Sequence, residues 1–196
     1  MIAIIDYGAG NLKSVCNALE KLGQRYKVVF KPQELRSAKK VILPGVGAAG
    51  NAMEMLSKSG FKKSIPRLKI PFLGICLGMQ LLADFSEEDD VPCLSIIPGQ
   101  VKKFLSRALK VPQIGWNKVK FVKSSPLTEK IRNESYFYFV NSYYFDSPRK
   151  NVIGKTNYGL PFASIIQKNN FYAVQFHPEK SGPIGLQLLR NFCKLC

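Results

Sequence analysis

Cys76 sits in the run Phe72-Leu73-Gly74-Ile75-Cys76-Leu77-Gly78-Met79-Gln80, where an apolar segment breaks off in Gly-x-Cys-x-Gly and a helix-like pattern follows. This is the cysteine form of a nucleophile elbow. Flanking glycines allow a tight strand-to-helix turn that lifts a reactive side chain above a sheet edge. The N-terminus of the new helix then lies beside the sulfur, where it favours thiolate. Far downstream comes Gln175-Phe176-His177-Pro178-Glu179, which holds His177, the only histidine of the chain. A thiol, a base and a carboxylate two residues past the base make a candidate Cys76–His177–Glu179 triad. In it Glu179 orients the ring through Nδ1 and Nε2 faces the sulfur. The other cysteines, Cys16, Cys93, Cys193 and Cys196, lack flanking glycines. Cys16 and Cys193 fall on apolar helix faces and read as core.

Two further segments have the makings of a site. Pro44-Gly45-Val46-Gly47 is not a phosphate-binding Walker loop, since no Gly-Lys-Ser/Thr follows. Placed opposite Cys76, it can offer backbone N–H groups to an oxyanion. The aromatic strand over residues 136–140 runs into Asn141-Ser142-Tyr143, which either lines a site or simply ends a core strand.

The elements that must position these groups follow from periodicity. Strands are expected at 1–6, 26–30, 40–43 and 71–75. Helices are expected at about 12–22 with Asn11 as cap, near 49–57, at 77–84 and at about 183–194. Short strands alternating with helices imply an α/β fold around a mainly parallel sheet. The segments near 95–104, 117–122, 135–140, 151–157, 162–167 and 171–176 are β-rich and imply an antiparallel extension. The loops at Gly8–Gly10, Gly45–Gly47 and Cys76 should then meet at one carboxyl edge of the sheet, where open α/β folds bind ligands.

Composition narrows the function. The chain has 196 residues, 46% hydrophobic and 21% charged, which suits one domain over 1–196 with a real core. Its net charge of +16 raises nucleic acid or an acidic partner. The lysines are scattered, however, and no nucleic-acid motif is present, so a general cationic surface is expected and no nucleic-acid function. Five cysteines at irregular spacing argue against a disulfide framework or a zinc site, so no metal or other cofactor is expected. No apolar run reaches membrane-spanning length and the start reads as a strand, so no membrane association and a cytoplasmic location are expected.

With these residues in hand, the chain resembles the class I (triad) glutamine amidotransferases, and more narrowly the glutaminase subunits of imidazole glycerol phosphate synthases. The resemblance runs through Asp6–Asn11, Leu43–Gly47, the elbow, Gly115-Trp116-Asn117, Tyr138-Phe139-Val140 and Gln175–Gly182. It implies a flavodoxin-like fold of three layers on an open mixed sheet. It also implies hydrolysis of L-glutamine to glutamate and ammonia by Cys76, His177 and Glu179. Oxyanion N–H groups would come from Leu77, Val46 and Gly47, while Gln80, Ser142 and Tyr143 would hold the substrate's α-amino and α-carboxylate groups. The implied partner is a (β/α)8-barrel cyclase subunit, docked as a heterodimer against Lys180, Tyr138 and Asn11, which uses the ammonia in histidine biosynthesis. Three places depart from the family pattern: Gln113 and Asn141 stand where histidines are common, and the loop after Gly47 reads Ala48-Ala49-Gly50 without the frequent Phe. Paralogues that supply ammonia to amidotransferases of bacterial surface sugars, and other Cys-His hydrolases of the same fold, remain alternatives.

Overall fold

The computed structural model describes residues 1–8, 12–105 and 109–196. Its first strand, β1 (Ile2–Ile5), is apolar at every position because both its faces are covered. Ala3 and Ile5 enter one core cluster, Ile2 and Ile4 the other. Helix α1 (Leu12–Lys21) follows, then β2 (Tyr26–Val29), β3 (Lys40–Gly45) and α2 (Ala49–Lys58). A short α3 (Phe61–Ser64) leads to β4 (Phe72–Cys76), which passes directly into α4 (Leu77–Gln80). The second half is mostly strands: β5 (Phe85–Ser86), β6 (Val91–Pro92), β7 (Gln100–Lys103), β8 (Gln113–Phe121) and β9 (Ser135–Asn141). It continues with β10 (Tyr143–Asp146), β11 (Val152–Asn157), β12 (Pro161–Lys168) and β13 (Phe171–Val174), and closes with α5 (Gly182–Leu195).

The sheet runs β2-β1-β3-β4-β13-β12-β10-β7-β5-β6, with β11, β8 and β9 branching from β12. The pairs from β2 to β13 are all parallel. From β12 to β10 and β7 the pairing is antiparallel. This is the expected three-layer mixed sheet. On one side α2 packs Ala52, Met53 and Leu56 with α3's Phe61 onto Val41 and Leu43. On the other, Val15 and Leu19 of α1 and Leu188, Leu189 and Phe192 of α5 cover Ile42 and Leu73. Among the described residues no helix is long and apolar enough to cross a membrane.

Three expectations are corrected. The helix after Cys76 ends at Gln80 instead of running to 84. Its continuation tightens into bonds from Leu82 N to Met79 O and from Ala83 N to Gln80 O, and Asp84 then turns away to bond Gly99 through backbone and carboxylate. The strand placed at 95–104 is confined to β7. Past the polar corner, where Asn141 ends β9 and Ser142 bends, a further strand, β10, starts at Tyr143 where none was expected, and β7 holds it along its length.

Candidate active site

The register sets the site. Gly45 at the end of β3 pairs with Cys76 at the end of β4, so Val46 and Gly47 leave the sheet beside the sulfur. On the other flank β13 pairs Val174 with Ile75, so the chain leaving β13 reaches His177 close to the same point. Cys76 itself has φ 54 and ψ −110. That backbone conformation is costly for any residue with a Cβ, and its usual home is a functional turn. The flanking glycines are required by contact: a Cβ on Gly74 would lie 2.5 Å from the Gly78 carbonyl oxygen, and one on Gly78 would lie 2.0 Å from that of Leu43. With α4 only four residues long, little macrodipole acts on the sulfur. What the elbow supplies is the set of free N–H groups of a first helical turn.

His177 is buried, and its Nδ1 lies 2.8 Å from Oε1 of Glu179, which is buried too. Its backbone N–H donates to Tyr138 O at 2.9 Å. Ser181 ties the same corner, its hydroxyl donating to His177 O at 2.6 Å and accepting from Tyr138 N at 2.9 Å. Burial alone depresses the imidazolium, but hydrogen bonds and charge from Cys76 and Glu179 prevail and raise its pKa to about 10. The Cys76 thiol is 3.6 Å from Val140 O, and Gln175 Nε2 approaches the sulfur at 3.8 Å. Tyr7 sits beneath the elbow; burial, with the Cys76 and Asp6 charges adding, pushes its ionisation up, so it stays a neutral phenol.

Cys76 and His177 open onto a cavity of about 250 Å³ lined by Val46, Gly47, Cys76, Leu77, Gln80, Glu88, Pro112, Val140, Asn141, Ser142, Tyr143 and His177. The triad thus comes together with the proposed oxyanion donors Leu77, Val46 and Gly47 and with Gln80, Ser142 and Tyr143. Gln80 is fixed by bonds from its Nε2 to Gln175 Oε1 at 3.0 Å and to Tyr143 O at 3.2 Å. A larger groove of about 660 Å³, edged by Ser125, Lys130 and Arg190, contains none of these residues. Of the expected interface residues, Lys180 is exposed and Tyr138 half-buried; Asn11 lies outside the described residues. Gln113 and Asn141 face each other across β8 and β9, both buried, each with its side-chain amide oxygen lacking a hydrogen-bond partner among the described residues. Among the described residues no cluster of three or more His, Cys, Asp or Glu is placed to hold a metal ion.

Sequence reasoning missed Glu88 and gave Gln175 no role. Among the described residues Glu88 is the one carboxylate lining the cavity. Burial raises its pKa, while its bond from Ala49 N–H, 3.0 Å long, opposes the rise. It stands eight residues past Gln80 in an all-acidic stretch that reads as a solvated turn, and only the sheet topology brings it back to the site.

The chain is similar to known proteins over its whole length. The profile of the family "Glutamine amidotransferase class-I" matches residues 3–196. "Imidazole glycerol phosphate synthase subunit HisH" of Methanocaldococcus jannaschii is 49% identical, covering 100% of both chains. The protein of that name from Dehalococcoides mccartyi is 48% identical over 100% of this chain and 97% of its own. The one from Haemophilus influenzae (strain KW20) is 48% identical over 97% of this chain and 96% of its own. Among solved structures, a glutamine amidotransferase from Thermotoga maritima superposes with a TM-score of 0.70 at 16% identity, covering 98% of this chain and 95% of that one. Another solved glutamine amidotransferase gives 0.76 at 18%, covering 98% of this chain and 97% of that one. At such identities these two likenesses concern the fold.

Proposed function

This chain belongs to the class I glutamine amidotransferase family, and we propose that it is the glutaminase subunit of an imidazole glycerol phosphate synthase, in histidine biosynthesis. The single observation that carries the reading is the strained Cys76 facing His177–Glu179 in a cavity sized for one amino acid. The full-length similarity to the HisH subunits supplies the choice of acceptor.

In this reading the Cys76 sulfur attacks the side-chain amide carbon of glutamine. The oxyanion is stabilised by N–H groups of Leu77 and of the Val46–Gly47 loop. His177, protonated, gives its proton to the departing nitrogen and ammonia leaves, with the glutamyl group on sulfur as a thioester. Acylation removes the sulfur's charge and its hydrogen bond, two of the causes that raise the His177 pKa. Burial then pushes the ring toward its neutral form, the form required to take a proton from water and hydrolyse the thioester. Glu179 keeps the ring oriented throughout. Glu88 meets the α-ammonium of the substrate, with Gln80, Ser142 and Tyr143 around the α-carboxylate.

Ammonia released into neutral water becomes mostly ammonium, which is not a nucleophile. The site therefore needs a partner that takes ammonia directly, here a (β/α)8-barrel cyclase subunit. The docking face includes Lys180, Tyr138 and Asn11. The β8–β9 hairpin, which carries Tyr138, supports this, since it exposes Ile114, Trp116 and Tyr136, three large apolar side chains next to one another on one face. A partner more acidic than usual complements the +16 charge and speeds association at low salt. Five free thiols fit a reducing cytoplasm.

The test is glutamate release by the chain alone and with the barrel subunit and its ribonucleotide bound. The isolated chain is expected to turn over weakly and the complex far faster, because the Pro44–Gly47 loop can rest with an N–H turned from the oxyanion. Equal rates in the two assays would refute a loop controlled by the partner.

A further inference from the structure

The turn between β5 and β6 carries only carboxylates, Glu87-Glu88-Asp89-Asp90, in a chain of net charge +16. Asp89 and Asp90 have φ 62 and 51, a left-handed pair that closes the turn tightly. Three of its carboxylates hold backbone N–H groups of other segments. Glu87 accepts from Lys103 N at 2.7 Å, Glu88 from Ala49 N at 3.0 Å and Asp89 from Gly50 N at 2.9 Å. Ala49 and Gly50 open α2, and the residue before them, Ala48, has no side chain to cap the helix. The first turn of α2 is therefore capped from across the fold. The contact is close: a Cβ on Gly50 would lie 2.9 Å from Asp89 Cβ and 3.0 Å from its Oδ2.

This cap lies directly behind the oxyanion loop. Val46 and Gly47 line the cavity, and α2 starts just past them. On the reading above, Glu88 has two claimants, the Ala49 N–H and the α-ammonium of glutamine. Asp89 has one, and it does not line the cavity. We infer that Asp89 is a positioning residue for glutamine hydrolysis: its bond to Gly50 N–H holds the first turn of α2, and with it the Val46–Gly47 loop, in place while Glu88 turns to the substrate. The inference rests on the glutaminase reading and adds a residue that acts through the loop.

The experiment compares Asp89→Ala, Asp89→Asn and Gly50→Ala with the wild type, each with the barrel partner present. Asp89→Ala should lower kcat by ~10-fold or more, less than the 100- to 1000-fold loss from deleting an oxyanion donor outright. KM for glutamine should stay within about 3-fold of wild type, because Glu88 and Gln80 still hold the α-groups. A γ-aldehyde analogue of glutamine, whose adduct with Cys76 places an oxygen in the oxyanion site, should bind Asp89→Ala correspondingly less tightly. Asp89→Asn keeps an acceptor oxygen and should retain most of kcat. Gly50→Ala pushes the carboxylate away with its new methyl group and should reproduce the Asp89→Ala loss. A merely structural cap would lower the melting temperature and leave kcat and analogue affinity of the folded protein unchanged; that result overturns the inference. Should Asp89→Ala fail to fold, Gly50→Ala decides. The wild-type control separates the two claims. If it releases no glutamate, the glutaminase reading fails and takes this inference with it. If it turns over and the variants match it, only this inference fails.

Discussion

Cys76→Ala should abolish glutamine hydrolysis, by ~10⁴-fold or more, while the protein folds as before. No other cysteine can stand in. Burial pushes the thiol of Cys93 up to about 12 and that of Cys193 to about 11, and neither has a histidine beside it. The fold should survive because alanine occupies the same backbone conformation at the same cost, and the tight contacts of the elbow belong to Gly74 and Gly78. The strain at φ 54 predicts a corollary. Cys76→Gly should be equally inactive and more stable than Cys76→Ala, by about 1 kcal/mol, since glycine adopts positive φ freely. A second readout is independent of turnover. Without sulfur, two of the interactions that hold the His177 pKa near 10 vanish, and an NMR titration of this single histidine should show it falling. Glutamate release near the wild-type rate in Cys76→Ala, measured with the partner present, would remove the covalent mechanism.

His177→Ala should be comparably severe, and Glu179→Gln should retain about 10- to 100-fold more activity, because orienting a base matters less than having one. The pH dependence separates the roles. Glu179 is one of the groups that raise the His177 pKa to about 10. Its neutralisation lowers that value and should shift the alkaline limb of the rate profile to lower pH. Stability follows the same sign. A histidine whose pKa rises on folding stabilises the fold fully below its unfolded value, near 6.5, and loses that contribution as the pH climbs through about 10. The stability difference between wild type and Glu179→Gln should therefore be largest in mild acid and shrink toward pH 10. If Glu179→Gln proves the more damaging change, Glu179 and not His177 carries the proton.

Much of this is legible in the sequence, for identifiable reasons. The parallel half is written in strands buried on both faces, such as Ile2–Ile5 and Phe72–Cys76, whose unbroken apolar runs leave little choice. The elbow was legible because close approach at Gly74 and Gly78 tolerates only glycine. The end of α4 at Gln80 was not, because the sequence on to Ala83 stays apolar and helix-compatible. What stops the helix is tertiary, namely Asp84 turning to Gly99. The strand β10 was hidden because Tyr143 and Ser142 are polar enough to suggest a loop. Glu88 and Asp89 were hidden more deeply: their partners Ala49 and Gly50 are 39 residues away, and local composition says only that the turn is charged. Gln113 and Asn141 could be flagged from the sequence, but that they face each other, their side-chain amide oxygens lacking a partner among the described residues, is a matter of strand register.

The most direct test of the central claim is reconstitution with the nitrogen traced. This chain is mixed with the barrel cyclase subunit of the histidine pathway and its ribonucleotide substrate, with amide-¹⁵N glutamine as sole nitrogen source and unlabelled ammonium added as a trap. The account predicts imidazole glycerol phosphate formed at the rate of glutamine consumption, with its new ring nitrogen labelled and undiluted by the ammonium, and no product with Cys76→Ala. Glutamine turnover without that product, or failure to form a complex even at low salt, would contradict the account and point to a different ammonia acceptor.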